Sequence, residues 1–205
     1  EVNRQHWRAL WLGVAAVALI VGLGLGGAIA FEAVALARWS TGIIVGIAAL
    51  YFVYLFVFAG LDDQERKRSF VILVLFVGAA LFWSGFEQGG TSLNLFAERY
   101  TDRMAGGFEI PATWLQSVNP IMIIILAPFF GAFWVGLARR NLDPSIPAKF
   151  ALGLVLLGMG FLVMFFAAKI VATGHKVMPT WLVMTYLMHT FGELCLSPVG
   201  LSSVT

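Results

Sequence analysis

FALGLVLLGMGFLVMFFAA, residues 150–168, carries no charged side chain between Lys149 and Lys169. About 20 apolar residues, rising 1.5 Å each, cross the roughly 30 Å of hydrocarbon in a bilayer, and the stretch 148–172 meets that length. Five other stretches do the same: 10–31, 42–60, 69–95, 114–137 and 179–201. Across the 205 residues, 60% are hydrophobic and only 12% are charged, against the roughly 25% charge of a soluble domain. So few polar side chains cannot cover a surface in water. The sequence therefore predicts an all-α integral membrane protein of about six transmembrane helices.

The breaks between spans are polar: 38–41, 62–68, 97–111, 139–147 and 174–178. Counting Lys and Arg sets the orientation. Arg4, Arg8, Arg66, Lys67, Arg68, Arg139, Arg140 and Lys149 fall on the side of the N-terminus, against Arg38, Arg99, Arg103, Lys169 and Lys176 on the other. The N-terminus and the 62–68 and 139–147 loops are thus expected on the cytoplasmic side. The formal charge of +2, carried in short groups beside apolar runs, gives no nucleic-acid surface, and the single Cys195 excludes an internal disulfide. The chain opens without Met or a signal-peptide pattern and stops without a terminating feature, and it is expected to be an internal segment of a longer protein.

The first two spans hold no intramembrane charge or amide, whereas from Ser69 onward Trp, Glu, Gln, Asn, His and Pro occur at membrane depth. This shift places an organisational boundary at 61–68. Residues 1–61 are read as a transmembrane hairpin, and residues 62–205 as an incomplete six-helix bundle. GLGLGG at 22–27 looks like a phosphate loop but lies mid-span with no preceding strand. Gly22 and Gly26 fit a small-xxx-small packing seam instead.

Two carboxylates fall inside spans. Glu87 shares a helix face with Trp83, four residues earlier. A carboxylate at a helix centre costs about 2.5–3.5 kcal/mol, so Glu87 is expected at a cavity or beside a cation. Because it lies about 26 Å from the start of its span, a second reading has the span ending there, with Glu87 at the outer interface. Glu193 sits about 21 Å into the last span, and His189, Glu193 and Ser197 form an i, i+4, i+8 stripe. Pro198 then removes a backbone hydrogen bond and is expected to kink or break the helix, as in broken helices that line transporter sites. A structural His–Glu pair is the alternative. A zinc site lacks the usual ligand spacing. In the fourth span Gln116 and Asn119 share a face before Pro120, and Pro128 also disturbs the helix. Asn119 suits a peptide-like amide or carboxylate, or a simple interhelical bond. No Ser–His–Asp arrangement, metal cluster or phosphate loop is found in the sequence, so no catalytic or metal-ligating residue is assigned.

FEQ at 86–88, SLNLFAERYTD at 92–102, WLQSVNP at 114–120, PSIPAKFALG at 144–153 and GELCLSPVGLSSVT at 192–205 together resemble the bacterial proton-dependent oligopeptide transporters of the major facilitator superfamily. The resemblance implies that 69–205 corresponds to the seventh to tenth helices of the standard twelve, with 10–60 in the place of the two helices that bacterial members insert between their halves. It further implies that Glu193 pairs with a peptide amino group, that Asn119 bonds the peptide backbone and that Ser197 sits beside the glutamate. Trp83, Phe86 and Gln88 would line the cavity, and Glu87 would link proton movement to gating. No cofactor is implied beyond protons as the coupling ion. The expected partners are di- and tripeptides, the lipid bilayer, and the N-terminal six helices and last two helices of the same transporter, in the cell inner membrane. Two alternatives stay open: a family member moving another small substrate, and an intramembrane enzyme using His189 and Glu193.

Overall fold

The computed structural model describes residues 7, 11–15, 18, 22 and 32–202, with side chains at 33 and 197–202 left out of the description. The expected first span, 10–31, therefore lies largely outside the described residues, as does Gly26. At Gly22, a Cβ would meet nothing within 4 Å among the described residues.

Five long helices are described, with short elements between them: α1 Ala33–Val57, α2 Asp63–Phe86, a 3-10 turn Glu87–Gly90, α3 Ser92–Tyr100, strands β1 Met104–Ala105 and β2 Phe108–Glu109, α4 Ala112–Gln116, α5 Val118–Arg139, α6 Ile146–Val171 and α7 Thr180–Ser202. The chain divides into two compact units, Glu1–Arg66 and Lys67–Thr205. Among the described residues, four helical stretches are long and apolar enough to cross a bilayer: Val34–Val57, Asp63–Tyr100, Ala112–Arg139 and Ile146–Val171. The helix α7 is not among them, because Thr185, His189, Thr190 and Glu193 lower its hydropathy.

Several expected boundaries move. The break at 38–41 is absent: α1 runs from Ala33 and Thr41 Oγ donates to the Ala37 carbonyl at 2.8 Å inside it. Nothing between 33 and 41 is a helix breaker, so Arg38 stays helical. The expected third span, 69–95, falls within the stretch Asp63–Tyr100 but is not one continuous α-helix. The helix α2 stops at Phe86, where Gly89 and Gly90 close a 3-10 turn. Its other end is set by a reciprocal cap. The Glu65 N–H donates to Asp62 Oδ1 at 2.7 Å, and the Asp62 N–H donates to Glu65 Oε2 at 3.0 Å, satisfying two N–H groups that a helix start otherwise leaves unpaired. Pro128 lies within α5 without ending it, and α7 continues through Pro198 to Ser202. The expected break at Pro198 is not made.

The segment 97–111 holds more order than its polarity suggested. Gly106 and Gly107, at φ +58° and +87°, supply the two positive-φ positions of a tight hairpin turn, and Met104 pairs Glu109 while Ala105 pairs Phe108. Arg103 bridges the hairpin, pairing with Glu109 at 2.7 Å and donating to the Ile110 carbonyl. The Asp102 N–H donates to the Val177 carbonyl at 2.8 Å, and the Val177 N–H to the Tyr100 carbonyl at 3.0 Å. The end of α3 is thereby tied to the turn between α6 and α7.

In the second unit the core joins Leu93 and Ala97 of α3, Leu115 of α4, Met164 of α6, and Leu182 and Tyr186 of α7. The helices α6 and α7 make the closest approach. A Cβ at Gly192 would lie 2.8 Å from the Gly153 carbonyl oxygen, and one at Gly160 would run into the His189 ring. On the neighbouring face of α6, Phe150 presses on Gly78 of α2, and Leu157 on Gly85. Glycine at these positions lets backbones touch, the usual packing device where lipid gives no hydrophobic drive between helices.

Candidate functional site

The start of α5, the middle of α7 and the end of α2 converge on a cavity of about 240 Å³. It is lined by Phe86, Glu87, Gly89, Gly90, Gln116, Asn119, Tyr186 and His189. Beside it, Asn119 Nδ2 donates to Thr190 Oγ1 at 3.0 Å and reaches Glu193 Oε2 at 3.4 Å. Thr190 is fully buried and its hydroxyl donates to the Tyr186 carbonyl at 2.7 Å. That orientation leaves the Thr190 oxygen free to accept from Asn119. The Tyr186 hydroxyl in turn reaches the Gly89 carbonyl at 3.3 Å. A ladder of polar contacts thus links α7 to α5 and to the 3-10 turn.

Glu193 is half-buried, and among the described residues neither ion pair involves it. Its only described partner is the Asn119 amide. Glu87 is exposed at the first position of the 3-10 turn, on the cavity wall. The helix α2 ends at Phe86, so Glu87 follows the helix end and lies on the cavity wall. Phe86 lines the cavity and stacks over Phe82 at 5.7 Å.

Two expected lining residues stand apart from that wall. Gln88 is turned back on its own chain: its Nε2 donates to the Ser84 carbonyl at 3.3 Å and its Oε1 accepts from Ser92 Oγ at 2.6 Å. Trp83 meets Phe86 and Phe82 edge-on at 5.3 and 5.6 Å and is otherwise exposed. The Ser197 side chain lies outside the described residues. His189 is buried, wedged at 5.1 Å from the Phe161 ring, with Nε2 lacking a hydrogen-bond partner. No three His, Cys, Asp or Glu side chains converge as a metal site among the described residues.

Tyr186, Thr190 and the Gly89–Gly90 pair were not singled out from the sequence. The signal was there for the first two: 186, 190 and 193 share one face of α7 at i, i+4, i+7 spacing.

Residues 40–205 match the POT family, PTR2. This chain belongs to that family. It is 46% identical to the peptide transporter YePEPT of Yersinia enterocolitica subsp. palearctica serotype O:3 over 99% of this chain and 40% of that protein. It is 34% identical to a di-/tripeptide transporter of Lactococcus lactis subsp. cremoris over 80% of this chain and 33% of that one. Among solved structures, a crystal structure of peptide transporter POT in complex with sulfate superposes with a TM-score of 0.78 at 34% identity, covering 97% of this chain and 40% of that one. The POT chain described here is thus a multi-pass, all-α membrane protein of the major facilitator fold, and it spans 40% of the length of the first of these relatives.

Proposed function

We propose that this POT chain supplies the peptide-binding wall of a proton-coupled symporter of di- and tripeptides. The observation that carries the reading is Glu193 beside the cavity, held by Asn119 and with no described cation paired to it. An intramembrane carboxylate needs a cation, and a peptide ammonium is one that arrives and departs. Asn119 then offers the amide through which a peptide backbone is recognised whatever its side chains. Glu87, which also lines the cavity, would exchange the coupling proton with it. The named relatives, a peptide transporter and a di-/tripeptide transporter, support this substrate class.

In this reading the rest of the transporter, a six-helix half and two further helices, closes the cavity and rocks against this wall in alternating access. Ser197 completes the site beside Glu193. Residues 1–61 form the inserted hairpin, and 62–205 belong to the C-terminal bundle. The protein lies in the cell inner membrane with the N-terminal side of this chain cytoplasmic, following its excess of Lys and Arg. Protons are the coupling ion and no other cofactor takes part.

The test is uptake of a labelled dipeptide into liposomes bearing the full-length transporter, driven by an imposed inward proton gradient. Accumulation that collapses with a protonophore supports the proposal. Dipeptide uptake indifferent to the gradient overturns proton coupling, and absence of uptake with intact folded protein overturns the substrate class.

A further inference from the structure

On a helix, residues two apart point about 200° away from each other. Gln116 lines the cavity, so Trp114 faces away from it. Ser117 joins α4 to α5 in the right-handed region, its N–H donating to the Trp114 carbonyl at 3.1 Å in a turn tighter than the α-helix. Ile121 and Ile125, four residues apart on α5, share a face on roughly the same side as Trp114. All three are more than half exposed. They make one apolar stripe down the back of a membrane span, on the side opposite the substrate cavity.

The hairpin extends this stripe past the end of the span. Phe108 meets Trp114 with ring centroids 6.0 Å apart, and both Phe108 and Met104 are more than half exposed. The inner backbone groups of the hairpin are paired by the β1–β2 ladder and by Ile110 N–H to the Arg103 carbonyl at 2.9 Å, and the Met104 N–H on its outer edge donates to Asp102 Oδ1 at 3.2 Å. Two of the three Arg103 guanidinium nitrogens are engaged, Nη2 by Glu109 and Nη1 by the Ile110 carbonyl, while Nε is buried without a partner. The hairpin's open outer edges still need hydration, which suits the unit to the hydrated headgroup level and not to the hydrocarbon core. Aromatic side chains concentrate at that level of the bilayer.

We infer that the 104–109 hairpin is a bilayer-docking element. It seats Met104, Phe108 and Trp114 in the headgroup–acyl boundary on the side of the membrane where α4 begins. The occupant of this surface is lipid because the surface continues the apolar stripe of α5 and turns its back on the cavity. Through the Thr101–Val177 bridge, the docked hairpin also steadies the turn that leads into α7.

The test places a single bimane label at Phe108→Cys in the full-length transporter in phosphatidylcholine vesicles, with the unsubstituted protein, whose Cys195 is buried, as the blank. A second label at Lys176→Cys, exposed on the turn to which the hairpin is tied, reports the aqueous side. Docking is supported if headgroup-nitroxide lipid quenches the Phe108 label more than the Lys176 label while iodide quenches it less. Iodide quenching equal to that at Lys176 would mean that the hairpin stands in water. Protection from both quenchers would mean that protein covers it. Either result overturns the inference.

Discussion

Asn119 and Glu193, 74 residues apart in sequence, meet at 3.4 Å from Nδ2 to Oε2 beside the cavity. The contact spans two helices that each carry one half of it, so neither residue can hold the geometry alone. The amide also keeps its shorter bond to Thr190 at 3.0 Å, which fixes the side chain while its reach to the carboxylate stays long enough to yield to a ligand.

Replacing Asn119 by Ala removes both contacts and the amide offered to a peptide. The expected result is a rise of about tenfold in KM for dipeptide, equivalent to about 1.4 kcal/mol or one hydrogen bond. Replacing Glu193 by Gln is expected to abolish uptake while the protein still inserts. Transport assays on both variants beside a melting curve check this, and wild-type uptake by Glu193→Gln would remove the carboxylate from the site.

Glu87→Gln is expected to separate two modes of transport. Counterflow of labelled peptide, which needs binding and rocking only, should persist, whereas accumulation driven by a proton gradient should be lost. Equal loss of both modes would assign Glu87 to binding or folding.

Glycine at 192 is set by the facing backbone. Gly192→Ala would put a Cβ 2.8 Å from the Gly153 carbonyl oxygen, and neither backbone can give way cheaply. The expected destabilisation is about 1–3 kcal/mol. Gly158→Ala on α6, where a new Cβ meets nothing within 4 Å, should be neutral or stabilising by up to about 1 kcal/mol through helix propensity. Thermal melts in one detergent compare the two.

The cap at the start of α2 predicts a smaller effect. Glu65→Ala leaves the Asp62 N–H without its partner and is expected to cost about 0.5–1 kcal/mol of stability, with no change in the KM for peptide. A KM shift would mean that this turn communicates with the site.

Span content was legible because hydrocarbon imposes a length and a composition that a single sequence displays. The candidate site was partly legible for the same reason: Glu87, Asn119 and Glu193 are polar where polarity is expensive, and they stand out by depth alone. Gln88 was misread because a 3-10 turn, which polarity does not signal, folds its amide back onto Ser84 and Ser92. Pro198 was read as a breaker on a local rule, yet the helix continues past it.

From the order of its residues alone, this chain is bound to a bilayer and to two carboxylates set within apolar stretches, since both follow from reading one side chain at a time. Which groups meet was decided by packing. The glycine contacts between α6 and α7 set where α7 lies, and that position brings Glu193 to Asn119 and Tyr186 to Gly89. Contact between distant helices depends on the surfaces of both, and no single stretch of sequence contains both.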